Sequence, residues 1–178
     1  MSFTLYLKNE DMKEGFPPIA DERATILILG TMPGEESLRK KEYYANSRNA
    51  FWKIMSRLFE FEHDTSYEGR TRILTKNKIA LWDVMKSCKR QGSLDSAIDD
   101  RTIVENDFAS FYRNHPNIRH IFFNGAKAEK EYLKRALPGL PDKVKRIEYS
   151  RFPSTSPAMA QLSFDEKLLE WSSIKRKI

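Results

Sequence analysis

Ile26-Leu27-Ile28-Leu29-Gly30-Thr31-Met32-Pro33-Gly34 is the stretch on which the reading of this chain turns. Four consecutive aliphatic residues run into a glycine without polar alternation, the pattern of a strand covered on both faces. Such strands belong to parallel sheets flanked by helices. The loops at their carboxyl ends are where open α/β sheets bind ligands. Here the loop is broken by Gly and Pro and leads into Tyr43-Tyr44-Ala45-Asn46-Ser47-Arg48-Asn49-Ala50-Phe51-Trp52. It is suited to hold something flat and polar close to the backbone.

Outward from that stretch, residues 24–30, 79–84, 119–124 and 144–149 read as four strands. Helical patterns separate them. Residues 49–59 place Trp52, Met55 and Phe59 on one face. Asp100 is placed to cap a helix over 101–113, with Val104, Phe108 and Phe111 inward. Residues 125–137 read as helical and stop at Pro138-Gly139. Ser163 and Glu166 form a capping-box pattern before Phe164, Leu168, Trp171 and Ile174. Strands alternating with helices imply a three-layer α/β/α sandwich around a central four-stranded, mostly parallel sheet. The expectation is one domain over residues 1–178. All four strands then end at one edge, where loops 31–49, 83–92, 124–127 and 151–160 converge.

Composition narrows the function classes. With 40% hydrophobic and 31% charged residues, the chain is globular rather than disordered. A net charge of +6 favours a polyanionic partner. The lone Cys88 rules out an intramolecular disulfide framework or a four-cysteine cluster. His63, His115 and His120 lack metal-ligand spacing, so no metal is expected. No apolar run approaches the roughly 20 residues that span a bilayer. Residues 1–20 are polar and carry Asp and Glu, unlike a secretory signal. A cytoplasmic location is the resulting expectation.

The converging loops lack the Lys-Ser/Thr of a P-loop, the third glycine of a dinucleotide fingerprint and any histidine. They offer amide, hydroxyl, aromatic and carboxylate groups, which suit recognition of a heterocycle and its flanking phosphates. Asn49 reads either as a helix cap or as a water-positioning amide. Asn124 reads as a turn residue or a site amide, and either Tyr43 or Tyr44 can stack on a base. Asp83 reads as a cap, a salt-bridged carboxylate or a reader of the base edge. An ionised carboxylate accepts hydrogen bonds but donates none. It can take a ring N–H from the edge of a heterocycle.

GTMPGEES after the first strand, YYANSRNAFW, ALWDV, FNGAKAE and STSPAMA, in that order, resemble the uracil-DNA glycosylase superfamily. They are most similar to its hypoxanthine-DNA glycosylase branch, over roughly residues 26–157. The resemblance implies a monofunctional, monomeric DNA glycosylase of base-excision repair that needs no cofactor. Its partner is damaged DNA, from which it extrudes a deaminated base, hypoxanthine or uracil, and hydrolyses the N-glycosidic bond. The alternatives are a non-catalytic nucleotide- or nucleic-acid-binding module and a free-nucleoside N-ribohydrolase.

By the same resemblance, Asn49 and Asn124 are the catalytic candidates. Gly30, Thr31 and Met32 cradle the base, with Tyr44 stacking on it and Asp83 reading it. Ser154, Thr155, Ser156 and Pro157 contact phosphates, with Ser37 and Arg39 as further candidates. Met159 is either a wedge filling the gap left by the extruded nucleotide or packing beneath its loop. Two departures bear on substrate. Met32 stands where relatives keep Asn or Asp, and Ser154 where they begin the second motif with His. Both favour hypoxanthine over uracil.

Overall fold

The computed structural model of the protein describes residues 12–178, and the start of the polar N-terminal stretch read above lies outside the described residues. In chain order the elements are β1 (Met12–Glu14), β2 (Ile26–Gly30), α1 (Glu35–Lys40), α2 (Phe51–Phe59), α3 (Tyr67–Lys76), β3 (Ile79–Asp83), β4 (Met85–Lys89), β5 (Val104–Glu105), α4 (Phe108–Asn114), β6 (His120–Asn124), α5 (Ala126–Glu131), α6 (Asp142–Lys145), β7 (Glu148–Phe152) and α7 (Phe164–Ser172). The central sheet has the order β3-β2-β6-β7, and every pairing in it is parallel. Every residue of β2, β3 and β6 is buried, as their unbroken apolar runs require.

Alternation along β6 sorts the two helical layers. Phe122 stacks on Phe152 at 4.6 Å, and Phe152 meets Trp171 of α7, which packs edge-on against Phe51 of α2. Phe123 turns to the opposite face and meets Tyr132, which contacts Phe108 of α4. Helices thus cover both faces, which gives the expected three layers. The capping box on α7 is present, with Ser163 Oγ accepting from Glu166 N and Glu166 accepting from Ser163 N. No helix among the described residues is long and apolar enough to cross a membrane.

Several expected elements fall elsewhere. The span 101–113 is not one helix: a 3-10 turn at Asp100–Thr102 and strand β5 precede α4, which Asp107 caps by accepting from Ser110 N at 2.9 Å. Val104, expected inward, is exposed on β5, whereas Phe108 and Phe111 do face the core. Adjacent β-branched Ile103 and Val104 favour extended backbone, and the helix starts only after them. The last strand is Glu148–Phe152 rather than 144–149, and Val144 lies in α6. Val144 and Ile147 carry the apolar signal there but serve a helix and the turn after it.

Residues 85–89, expected within a loop, form β4, the centre of a small antiparallel sheet ordered β1-β4-β5. A register shift between Met85 and Ser87 breaks the period-two pattern that would have revealed it. Its buried residues Met85 and Cys88 join Met32, Ile98 and Ile103 in a second apolar cluster. Met32 is thereby anchored from below rather than loose in its loop.

Candidate active site

Chain order β2, β3, β6, β7 against sheet order β3-β2-β6-β7 places a topological switch between β2 and β6. Open sheets bind ligands in the crevice above such a switch. A cleft of about 400 Å³ lies there, within the usual range for small-molecule sites. All four expected loops reach it: it is lined by Gly30 to Gly34, Tyr44, Asn49, Asp83, Asn124 and the 154–159 loop.

Gly30 and Asp83 are partners in the β2–β3 register, so the carboxylate emerges beside the glycine. A Cβ on Gly30 would stand 2.3 Å from Asp83 Oδ1 and 2.8 Å from the Tyr44 hydroxyl. The three groups occupy one another's space, and only glycine permits it. Gly30→Ala is expected to displace both polar groups and to lower activity on the order of 10²-fold, with a stability loss of about 1–3 kcal/mol. Kinetics paired with thermal unfolding measure the two losses, and full activity in the variant would refute the crowding.

Asp83 is 4% exposed, and its Oδ2 has no hydrogen-bond partner among the described residues. It is neither a cap nor a salt-bridged carboxylate. Burial, reinforced by the negative charge of Asp95, lifts its pKa to about 7, while Arg90 draws it down. Asp95 also lines the cleft and accepts from Thr31 Oγ1 at 2.9 Å. Burial raises its carboxyl too, against the Thr31 bond and the charge of Arg90.

Both tyrosines border the cleft, but they are held differently. Tyr43 is core: its hydroxyl donates to Pro17 O at 3.1 Å, and its carbonyl accepts from Trp52 Nε1. Tyr44 lines the cleft at φ 55, a left-handed conformation uncommon outside glycine. One face of its ring stacks on Phe51 at 4.1 Å, and its hydroxyl accepts from Asn124 Nδ2 at 3.0 Å. The Tyr44 hydroxyl is pushed well above the ordinary phenol range, mainly by burial and then by the Asp83 charge. It stays protonated.

The two asparagines are used differently. Asn124 Nδ2 donates both to Tyr44 and to Thr155 Oγ1 at 2.9 Å, while its Oδ1 accepts from Thr155 N at 2.9 Å. Both of its amide hydrogens are thus committed to the framework. Asn49 Oδ1 accepts from Phe51 N at 2.9 Å, closing the entry to α2. Its Nδ2 carries no hydrogen bond among the described residues, and the residue lines the cleft. One end of this amide holds the turn into α2, whose N-cap is Ala50, while the other remains available.

The 154–159 loop is tied down from several sides. Thr155 is buried, its hydroxyl accepting from Asn124 Nδ2, its N–H donating to Asn124 Oδ1 and its carbonyl accepting from Ala50 N at 2.9 Å. Gly125, at φ 98, lets this loop approach: a Cβ there would meet Ser154 Cβ at 3.0 Å. Lys167 Nζ donates to Met159 O at 2.7 Å. Ser154, Ser156, Pro157 and Met159 keep surface on the cleft. Ser37 lines the cleft but is buried, its hydroxyl accepting from Ala45 N at 3.1 Å. Arg39 lies outside the lining and pairs with Glu36 at 2.7 Å.

Sequence reasoning passed over Ser93, Leu94 and Asp95, which form the wall facing Thr31, and assigned no role to Arg48, exposed at the mouth. The Gly92-Ser93 turn was the available signal for that wall. Nothing local pairs Thr31 with a carboxylate 64 positions away.

Known proteins resemble this chain in sequence and fold. The model of the uracil DNA glycosylase superfamily matches residues 17–172. A Methanosarcina acetivorans protein named hypoxanthine DNA glycosylase is 41% identical over 167 residues, 93% of this chain and 99% of its own length. One of the same name from Methanosarcina barkeri is 42% identical over 127 residues, 70% of this chain and 79% of its own. The solution structure of a candidate uracil DNA glycosylase from Methanosarcina acetivorans superimposes with a TM-score of 0.74 at 39% identity, covering 93% of this chain and 97% of that one. The chain belongs to the uracil DNA glycosylase superfamily.

Proposed function

We propose that this chain is a DNA glycosylase that hydrolyses the N-glycosidic bond of deaminated bases, hypoxanthine before uracil, as a cytoplasmic monomer. The observation that carries the reading is the buried, unpartnered Asp83 carboxylate at the floor of the cleft, beside Tyr44 and within the same lining as the free amide of Asn49. The relatives named hypoxanthine DNA glycosylase support it.

A flipped base enters against Tyr44, whose ring Phe51 backs. Base–aromatic stacking contributes about 1–3 kcal/mol. Ionised Asp83 accepts the ring N–H of hypoxanthine. Cleavage passes through a cationic sugar, so the reaction needs orientation and electrostatics more than a protein nucleophile. Asn49 Nδ2 positions the attacking water or the departing base. Asn124 holds Tyr44 and Thr155 in place, and so fixes the ring and the phosphate loop together. Ser154, Ser156 and Arg48 lie where the flanking backbone passes, and Met159 fills the space the base leaves. Met32, fixed in an apolar cluster, offers the base a dry wall and no hydrogen bond to water.

Duplexes carrying one deoxyinosine or deoxyuridine, incubated with excess enzyme and then alkali, test the reading. Cleavage at deoxyinosine faster than at deoxyuridine is the expected result. Binding without any alkali-labile site would replace the enzyme by a binding module, and release of base from free inosine alone would make it a nucleoside hydrolase.

A further inference from the structure

Arg90 is 1% exposed, at the end of β4, yet it touches no base-reading group directly. Its guanidinium donates to three backbone carbonyls: Nε to Gly92 O at 3.0 Å, Nη1 to Met32 O at 3.4 Å, and Nη2 to Pro33 O. Met32 and Pro33 belong to the loop after β2, and Gly92 to the loop that carries Ser93 and Asp95. These two loops lie side by side, and both contribute to the lining of the cleft. Only two other side-chain ties join them among the described residues, Thr31 Oγ1 to Asp95 and Glu35 N to Ser93 Oγ, both at 2.9 Å.

We infer that Arg90 is a positioning residue of this cleft: it locks the 31–34 loop to the 92–95 loop and supplies the buried positive charge that faces Asp83 and Asp95. Two arguments carry this. Three divergent carbonyls on two loops match the rigid fork of a guanidinium, which a lysine ammonium cannot reproduce. Neutral carbonyls, however, do not require a cation, and a buried cation is costly unless opposite charge faces it. The facing charges are the two cleft carboxylates, both of which Arg90 draws toward ionisation. The other titratable groups around these carboxylates include Tyr43 and Tyr44, both raised well above the phenol range, Cys88 on β4, and Lys127 on α5, which is itself held by Asp100 and Glu131. Arg90 therefore acts through Asp83 and the Thr31–Asp95 bond, on a cleft whose lining comes from separate parts of the chain.

The inference rests on the glycosylase reading for its kinetic test and stands apart from it for its structural one. Arg90→Lys and Arg90→Gln are compared with wild type by single-turnover excision of hypoxanthine across pH, scaled to folded protein, and by amide hydrogen exchange. Both variants are expected to lose about 10- to 100-fold in turnover, with substrate affinity changed by less than about threefold. The acidic limb of the rate profile should move to higher pH in Arg90→Gln and stay in place in Arg90→Lys. Exchange at residues 31–35 and 92–95 should accelerate in both variants while the central sheet stays protected.

Folded variants with wild-type rates, an unmoved acidic limb and unchanged exchange would overturn the inference. So would failure of both to fold at any temperature, which would assign Arg90 to the scaffold. A wild-type chain that excises nothing removes the glycosylase reading, and the exchange result then decides the wall-locking by itself.

Discussion

Asn49→Ala is expected to lower the excision rate by about 10²- to 10³-fold, the scale on which removing one preorganised hydrogen-bond donor acts. It is expected to cost only about 0.5–2 kcal/mol of stability, the range of a lost helix-entry bond. The two effects come from opposite ends of one side chain. Oδ1 accepts from Phe51 N and orders the first turn of α2, whereas Nδ2 is unengaged among the described residues and lies on the cleft. Asn49→Asp separates them. Aspartate keeps an oxygen for Phe51 N, and its charge is favourable at a helix start, so stability should match or exceed wild type. It loses both amide hydrogens and puts an anion where a donor is needed, so activity should fall as far as in the alanine variant. Thermal unfolding and single-turnover rates on the same samples decide the matter. An active Asn49→Asp would show that the oxygen, and hence the turn, is what matters.

Asn124→Ala should behave in the reverse order. It removes three hydrogen bonds that join β6 to Tyr44 and Thr155, each buried partner then costing about 1–3 kcal/mol when left unsatisfied. Stability falls first, and activity falls because the Tyr44 ring and the 154–159 loop lose their common brace. Thermal unfolding of the two alanine variants side by side checks the contrast, and an Asn124→Ala protein as stable as Asn49→Ala would contradict it.

Much of this site was legible in the sequence because its parts are local. A buried strand ending in Gly-Thr-Met-Pro-Gly announces both the parallel sheet and the loop above it, and the four strand ends share one edge by topology alone. The division of labour between Asn49 and Asn124 was not legible. Both are asparagines next to a helix start, and only the contact of Asn124 with residues 80 and 31 positions away shows that it is committed. Tyr43 and Tyr44 were inseparable for a similar reason. They are adjacent and identical, and what parts them is a set of distant contacts: buried Tyr43 donates its hydroxyl to Pro17 O, whereas Tyr44, at a left-handed φ, is held by Phe51 and Asn124. The wall at Ser93 to Asp95 and its anchor Arg90 stayed hidden because β4 carries a register shift and reads as loop. Arg90 stands close to Lys86 and Lys89 in the sequence, and nothing local marks it as buried.

Asp83→Asn should give the largest gain in stability of any substitution in the cleft. The Asp83 carboxyl has an ordinary pKa of 3.8, and burial first, then Asp95, lifts it to about 7 in the folded chain. As pH rises past the unfolded value, the unfolded chain releases this proton while the folded chain holds it. Stability therefore declines between about pH 4 and pH 7 and stays low above, which amounts to a cost on the order of 4 kcal/mol at pH 8. Asparagine does not ionise, so the variant escapes that cost.

The Asp83→Asn midpoint should accordingly exceed wild type by on the order of 10 °C at pH 8, and the gap should close toward pH 4. The same proton governs the proposed selectivity. Ionised Asp83 only accepts, and so favours the ring N–H of hypoxanthine; protonated Asp83 can donate to the bare ring nitrogen of adenine. Discrimination by wild type should therefore rise with pH through about 7, and in Asp83→Asn it should be weak and flat. Unfolding curves from pH 4 to 8, with excision rates on matched deoxyinosine and deoxyadenosine duplexes, test both halves together. A variant no more stable than wild type at pH 8 would mean that Asp83 is not carried as a buried anion. Undiminished discrimination in a stabilised variant would show that the anion is real but reads nothing on the base.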